Sequence, residues 1–304
     1  MTWDRRHDPY ASASSFTRVL LDGYAVGSKA QLLWAGWCKV VQVGVGPLMC
    51  HNGVKLGVAT VQKNSRAVIQ MYWIGTSGYD YPEWKGNFYP EGLPSTKTLS
   101  YYSERLSTVE INYTFYRMPN DKVVSQWGQN TPERFVFSLK APRRITHEAR
   151  LRDCEDALTT FCERARGLGP KLGVILFQLP PWSRKNTPLL KDFLGSIGKD
   201  FRTAMEFRHA SWFDDEVFAV LKDHRSALCI SDTGKETTPL VATADHAYFR
   251  LRDEGYDEAG ISRWADNIKG YSSDMKDVYI YFKHEEAGKG PEFARILVEK
   301  LGQG

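Results

Sequence analysis

From Met71 onward the chain alternates short, nearly continuous apolar runs with amphipathic stretches. The runs at 72–78, 108–115, 135–142, 172–180, 203–208, 227–232, 246–252 and 277–284 have strand length. Helical spacing of apolar positions lies between them, at 96–106, 119–130, 153–166, 187–197, 214–224, 257–271 and 291–301. One connection, 233–245, carries no helical pattern. Strands that are apolar on both faces and alternate with helices predict a parallel sheet covered on both sides. Eight such units after residue 70 predict a closed (β/α)8 barrel, an architecture of about 250 residues. A doubly wound open sheet is the alternative. It calls for GxGxxG after the first strand, and Gly75-Thr-Ser-Gly78 does not supply it.

Residues 1–70 have a different character. They contain no glutamate, and their apolar runs keep neither a helical nor a strand period. The expectation is an extension of no predicted fold, either poorly ordered or upstream of a start at Met71, with the barrel domain at 71–304. The longest uncharged run, 40–54, includes Gln42, Pro47, His51 and Asn52. It is too short and too polar to span a bilayer. A secretory leader is not expected either, because Asp22 and Lys29 interrupt the apolar segment.

Charge sharpens the division. The 304 residues carry a net charge of +4, but residues 1–70 hold eight Lys/Arg against three Asp, leaving 32 against 33 in the rest. The barrel region therefore lacks a global basic field for nucleic acid, and only a local patch could serve one. Five scattered cysteines show no CxxC or metal spacing, which points to reduced, buried thiols and a cytoplasmic protein.

Barrel active sites lie where the strands end at their C-termini. Polar residues recur there: Ser77, Glu110, Asn112, Thr114, Lys140, Gln178, Glu206, Arg208, Asp232, Arg250 and Arg252. Spacing by two puts Glu110, Asn112 and Thr114 on one face, and likewise Glu206 and Arg208. The following loops add Tyr79, Tyr81, Trp84, Tyr116, Trp182 and Trp212 as an aromatic rim. The pattern predicts a pocket for a small anionic or sugar-like ligand. Lys140, Arg208 and Arg250 would hold its oxygens, with Asn112, Gln178, Tyr81 and Trp212 as further substrate contacts. Glu206 is the favoured general base, with Glu110 or Asp232 as second carboxylate and His147 as an acid–base candidate. The competing account is a set of mutually paired charges filling the barrel. Cofactors are not identified. A divalent metal on Glu110, Glu206, Asp232, His209 and His284 is the less favoured reading, since three cations share that floor and neither HxH nor HExxH occurs.

Several motifs carry a family resemblance. They are Tyr72-Trp-Ile-Gly-Thr-Ser-Gly78, Val109-Glu-Ile-Asn112 with Thr114-Phe-Tyr116, and Lys140-Ala-Pro142 with Ile145-Thr-His147. Leu176-Phe-Gln-Leu-Pro-Pro181, Glu206-Phe-Arg-His209 with Ser211-Trp-Phe213, and Tyr281-Phe-Lys-His284 before Gly288-Lys-Gly-Pro291 continue the series. In that order, over about 71–300, the chain resembles the domain-of-unknown-function 72 family. The resemblance implies a TIM barrel and brings no established activity. Many relatives have Tyr-Phe-Asn-Asn-Asp where this chain reads Tyr281-Phe-Lys-His-Glu285, and Leu-His-Gly where it reads Leu251-Arg-Asp253. The function expected from the residues is an enzyme of hydrolase type acting on a phosphate-bearing or phosphodiester substrate. The alternatives are a metal-assisted sugar isomerase or epimerase, or a non-catalytic small-ligand module.

Overall fold

In a computed structural model of the protein, residues 43–49, 55–61 and 70–302 are described. The chain divides into two compact units, Met1–Ala67 and Val68–Gly304. In the first, β1 (Val43–Met49) and β2 (Lys55–Val61) pair antiparallel, Val43 opposite Val61 and Met49 opposite Lys55. Glycines and Pro47 break the apolar alternation there, which hides both strands from a periodicity search. Otherwise, the expectation of a poorly ordered 1–70 concerns residues outside the described ones.

The second unit is a closed parallel barrel of eight strands. They are β3 (Met71–Ser77), β4 (Thr108–Ile111), β5 (Val136–Lys140), β6 (Leu172–Gln178), β7 (Arg202–Glu206), β8 (Ser226–Asp232), β9 (His246–Leu251) and β10 (Asp277–Phe282). Closure is by β10 against β3, with Val278 opposite Tyr72 and Phe282 opposite Thr76. The outer helices are α1 (Thr98–Ser103), α2 (Tyr113–Tyr116), α3 (Asp121–Gln129), α4 (Glu155–Arg166), α5 (Thr187–Ser196), α6 (Asp215–Asp223), α7 (Glu258–Tyr271) and α8 (Lys289–Leu301). Helix starts are set by side chains that satisfy first-turn amides. Asn120 accepts from Val123 N at 2.9 Å, Asn186 from Leu189 N at 3.1 Å, and Asp257 from Gly260 N at 2.7 Å.

The β8–β9 connection has no helix because its chain returns extended along β8. Thr238 N donates to Ser231 O at 2.9 Å. Thr243 Oγ1 donates to Ser226 O at 2.7 Å and accepts from Leu228 N at 2.7 Å. Outside the barrel wall, the helices and the outward faces of the strands form the main core. Inside it, Val136, Val174, Leu176, Ala204, Ala227 and Cys229 pack with three tyrosines, Tyr248, Tyr279 and Tyr281. Barrel interiors are usually aliphatic. Here the phenols find polar partners: Tyr281 Oη shares hydrogen bonds with Ser138 Oγ and Thr108 Oγ1, both at 2.8 Å.

Among the described residues Gln70 ties the start of the barrel to the α7–β10 connection. Gln70 Nε2 donates to Ser272 Oγ at 3.0 Å and to Met275 O at 3.3 Å. A chain started at Val68 is therefore expected to melt with the full chain, whereas a Met71 start should lose about 1–2 kcal/mol through Gln70. Thermal melts of the three chains check this. Loss of several degrees in the Val68 chain would show that residues 1–67 stabilise the barrel.

Candidate functional site

The strands bring their C-terminal polar residues together around one buried guanidinium. Arg250 lies near the end of β9, and its neighbour two residues back, Tyr248, shares its lumen face. Arg250 Nη1 donates to Glu206 Oε2 at 2.6 Å, and Nη2 donates to Glu110 Oε1 at 2.8 Å. Both carboxylates are 0% exposed. Glu110 also accepts from Ser77 Oγ at 2.5 Å and from Tyr248 Oη at 2.7 Å. Asn112 Nδ2 donates to Ser77 Oγ at 2.7 Å, which ties the β4 end to β3. Glu206 Oε1 faces two more guanidiniums, Arg208 Nε at 3.2 Å and Arg252 Nη2 at 3.6 Å.

This geometry changes the role expected of Glu206. Burial pushes its carboxyl up, but Arg250, Arg252 and Arg208 overturn that and hold it well below the usual carboxylate range. Glu110 follows the same course: burial raises it, and Arg250, Ser77 and Tyr248 bring it below its ordinary value. Both are fixed anions and weak bases. Asp232 is further from the expectation of a second catalytic carboxylate. It accepts from Tyr256 Oη at 2.6 Å, Trp264 Nε1 at 3.0 Å, Thr237 Oγ1 at 3.0 Å and Gly234 N at 3.1 Å. Those four donors satisfy it as the anchor of the β8 turn.

Lys140, at the end of β5, makes no ion pair with a carboxylate among the described residues. Its Nζ sits 4.0 Å from the Phe115 ring centroid. Burial, then the charges of Arg250 and Arg208 against the opposing pull of Glu110 and Glu206, lower its ammonium to about 8. His147 meets the same Phe115 ring edge-on at 4.9 Å and Trp182 at 6.3 Å. Its Nδ1 shares a hydrogen bond with Thr146 Oγ1 at 2.9 Å. Burial and the cations Lys140, Arg208 and Arg143 lower it to about 4, so it is uncharged at neutral pH. The loop carrying it is unusual: a π-helical turn, Arg144–Glu148, then left-handed Arg150, Leu151 and Asp153 at φ 54°, 67° and 43°. Such backbone recurs at functional sites.

Among the described residues two buried guanidinium N–H groups at the mouth, Arg250 Nε and Arg252 Nε, have no acceptor, and the ring nitrogen His284 Nδ1 is also without a partner. Gln178 sits opposite Glu206 across β6 and β7, and its side chain helps keep the Glu206 carboxyl low. Four cations (Lys140, Arg208, Arg250, Arg252) stand over two carboxylates (Glu110, Glu206), a net charge of +2.

The rim differs from the expected one. Trp182 and Tyr116 are 62% and 76% exposed, and Tyr81 stays half-buried at the wall with its hydroxyl donating to Ser77 O at 2.6 Å. Trp212, expected at the rim, is buried: it stacks on Phe207 at 4.5 Å and donates from Nε1 to Ser183 O at 2.7 Å. Trp84 is buried too, its indole donating to Glu285 O at 3.0 Å. Strand β4 ends at Ile111, so Asn112 and Thr114 do not share a strand face with Glu110. Thr114 instead donates to Lys140 O at 2.7 Å from the turn of α2. Likewise β7 ends at Glu206, and Arg208 reaches back from the following loop. Two contributors, Phe115 and Tyr248, were not singled out from sequence, and Arg252 was gathered at its strand end without a role. Tyr248 was accessible from its spacing of two before Arg250.

For a metal, the expected ligands do not converge. Among the described residues no three His, Cys, Asp or Glu side chains gather. Arg250 stands between Glu110 and Glu206, while His284 is turned to Asp253 O at 2.7 Å and His209 to Ser211 Oγ at 2.9 Å. At the opposite end of the strands a groove of about 500 Å³ is lined by Lys199, Arg202, Asp223, Arg225, Asp245 and His246. Within it Arg202 pairs with Asp277 at 2.9 Å and His246 contacts Asp245 at 3.3 Å. That end of a barrel carries stability.

Fold and site together define a (β/α)8-barrel protein with a cationic mouth over a buried Glu–Arg–Glu floor. The chain belongs to the family described as protein of unknown function DUF72, whose family model matches residues 73–304. It is 34% identical over 144 residues to the UPF0759 protein YecE of Escherichia coli K12, 47% of this chain and 50% of that one. The chain thus spans about half the length of that curated relative. The UPF0759 protein YunF of Bacillus subtilis is 24% identical over 271 residues, 76% of this chain and 95% of YunF. A DUF72 family protein of Thermotoga maritima superposes with a TM-score of 0.68 at 26% identity, covering 77% of this chain and 100% of that one. Another, from Enterococcus faecalis, has a TM-score of 0.66 at 21% identity over 76% and 96% of the two chains, and shows the fold alone. Among the described residues no helix is long and apolar enough to cross a membrane.

Proposed function

We propose that the barrel mouth is an enzyme site for a phosphate-bearing substrate, a sugar phosphate or a phosphodiester. One observation carries this reading: Arg250 and Arg252 each keep a buried Nε–H without an acceptor among the described residues, within a net positive cluster. What such a set lacks is an acceptor bearing negative charge. Phosphate oxygens meet Arg208, Arg252 and Gln178, and the sugar or base ring lies against Trp182 and Tyr116. Glu206 and Glu110 hold the guanidiniums in place. The group that titrates in the working range is Lys140, so proton transfer is assigned to it rather than to Glu206. A small anionic substrate and a cytoplasmic setting accompany this reading, as expected from the scattered cysteines.

Inorganic phosphate is expected to raise the denaturation midpoint of the wild-type protein, by about 2.7 kcal/mol at a hundred times Kd. Arg208→Met should weaken phosphate about ten- to hundredfold, the worth of one charge-assisted hydrogen bond. Lys140→Met should leave stability at pH 7 unchanged or slightly raised, because no carboxylate loses a partner, while its phosphate stabilisation falls. Denaturant melts with and without phosphate measure all three. If no anion moves the wild-type melt and Lys140→Met collapses the fold, the charges are a structural network and the reading fails.

A further inference from the structure

We propose that the half of the rim following β4 to β7 binds a single-stranded polynucleotide, which makes this strand the phosphodiester that the mouth receives. The role as substrate rests on the anion site argued above; the rim's hold on the strand does not. The loops after the strands divide by charge. Segments 112–120, 141–154, 179–186 and 207–214, which follow β4 to β7, carry eight Lys/Arg and three Asp/Glu. Segments 78–97, 233–238, 252–257 and 283–288, on the other half, carry five Lys/Arg and nine Asp/Glu. Strands β4 to β7 are successive neighbours in the barrel, so the cationic loops form one arc. Within it Arg143 is held by Glu148 at 3.1 Å and Lys185 by Asp214 at 3.2 Å. Arg117, Arg144, Arg150, Arg152 and Arg184 are exposed and make no ion pair among the described residues. Arg150 and Leu151 are left-handed in succession, and the buried Leu151 leaves an arginine facing solvent on each side of it. Such backbone is costly and recurs at binding sites.

The aromatic residues divide in the same way. Among the described residues the exposed ones are Tyr113, Tyr116 and Trp182, and all three lie on the cationic half. Tyr116 and Trp182 end an edge-to-face series that crosses three loops. Tyr116 meets Phe115 at 5.1 Å, Phe115 meets His147 at 4.9 Å, and His147 meets Trp182 at 6.3 Å. Solvent-facing rings among unpaired cations are what a single strand requires: bases stack on the rings while phosphates meet the arginines. A duplex keeps its base faces stacked inside and offers none to these rings. An acidic peptide matches the charge and leaves the rings unused. A single sugar phosphate satisfies the floor and leaves the whole arc without an occupant.

The test is fluorescence anisotropy of the full chain with short fluorescein-labelled oligothymidylate and oligouridylate, each titrated at several salt concentrations. Binding of either strand is expected, at about tenfold or more over the oligothymidylate–oligoadenylate duplex. Trp182→Ala should weaken the strand about tenfold, the worth of one stacked base. Arg144→Gln with Arg152→Gln should lower the salt slope of log K by about 1.4, roughly 0.7 for each phosphate contact. Lys85→Gln with Lys235→Gln removes the same charge from the acidic half and should leave both affinity and slope unchanged. All these side chains are exposed, so the variants keep the fold, and all retain the basic residues 1–70. Equal loss from the two pairs, equal binding of the duplex, or equal competition by polyglutamate would reduce the arc to a general polyanion field and overturn the inference. Absence of strand binding while inorganic phosphate still raises the melt overturns it too, and leaves the anion site standing. Strand binding that weakens with Trp182→Ala, in a protein whose melt no phosphate moves, supports the rim and overturns the floor.

Discussion

Arg250→Met is expected to destabilise the barrel by about 3–5 kcal/mol at neutral pH, the cost of stranding a buried charge. The guanidinium is buried and spans Glu110 and Glu206, which are both fully buried. The two carboxylates lose unequally. Glu206 keeps Arg208 at 3.2 Å and Arg252 at 3.6 Å. Glu110 keeps only the neutral donors Ser77 and Tyr248 among its described contacts. The expected cost is therefore that of one stranded carboxylate, centred on Glu110. Its pH dependence identifies the cause. In the wild type both carboxyls are held below their ordinary value of 4.5. That stabilisation is complete above the unfolded value and is lost as pH falls toward the folded one. In the variant, burial without a cation raises Glu110, and the resulting penalty fades as it protonates on acidification. The gap between wild type and variant should narrow from pH 7 to pH 4 in denaturant melts. A gap that stays constant over that range would place the loss in packing rather than charge. If the methionine variant does not fold at pH 7, refolding it at pH 4 makes the same comparison.

The barrel was legible because each strand is buried on both faces, so its apolar run needs no alternation to be recognised. The missing helix at 233–245 was legible for the complementary reason: Pro239 and scattered threonines give no apolar stripe. Strand ends were harder to place. Tyr113-Thr-Phe-Tyr116 has strong strand propensity, yet it turns into α2, where Thr114 binds Ile111 O at 3.0 Å and Lys140 O at 2.7 Å. Periodicity cannot see such a tertiary override. The site was legible as a collection of charges but not as a set of roles. Glu206 has the residue type of a base, and it takes three surrounding guanidiniums, two of them more than 40 positions away, to make it a fixed anion. Asp232 is removed from the chemistry by Tyr256 and Trp264, 24 and 32 positions downstream. Lys140 gains its distinction from what it does not touch, and no spacing rule reports that.

Trp212→Ala is expected to cost about 3–5 kcal/mol, the loss from deleting a large buried aromatic. The indole is 2% exposed and lies flat on Phe207, centroids 4.5 Å apart and planes 6° from parallel. Sequence placed it in a loop after a strand, where aromatics face solvent readily. The loop instead makes a short 3-10 turn, Ala210–Trp212, whose start is closed by His209 Nδ1 accepting from Ser211 N at 3.1 Å. That turn folds the indole inward and points its N–H at Ser183 O, 2.7 Å away. Trp212 therefore holds the β6–α5 loop, and the residue before Ser183 in that loop is Trp182, the exposed aromatic beside His147. Removing the indole should loosen the rim as well as the core. Trp212→Phe keeps a ring on Phe207 and loses the hydrogen bond, so its cost should be about 1 kcal/mol. Denaturant melts give both values. Acrylamide quenching separates the two indoles: Trp182→Phe should remove an accessible component of the fluorescence, and Trp212→Phe a shielded one. A Trp212→Ala cost below about 1 kcal/mol, together with ready quenching of Trp212, would return this residue to the rim and take away the support that positions Trp182 over the anion site.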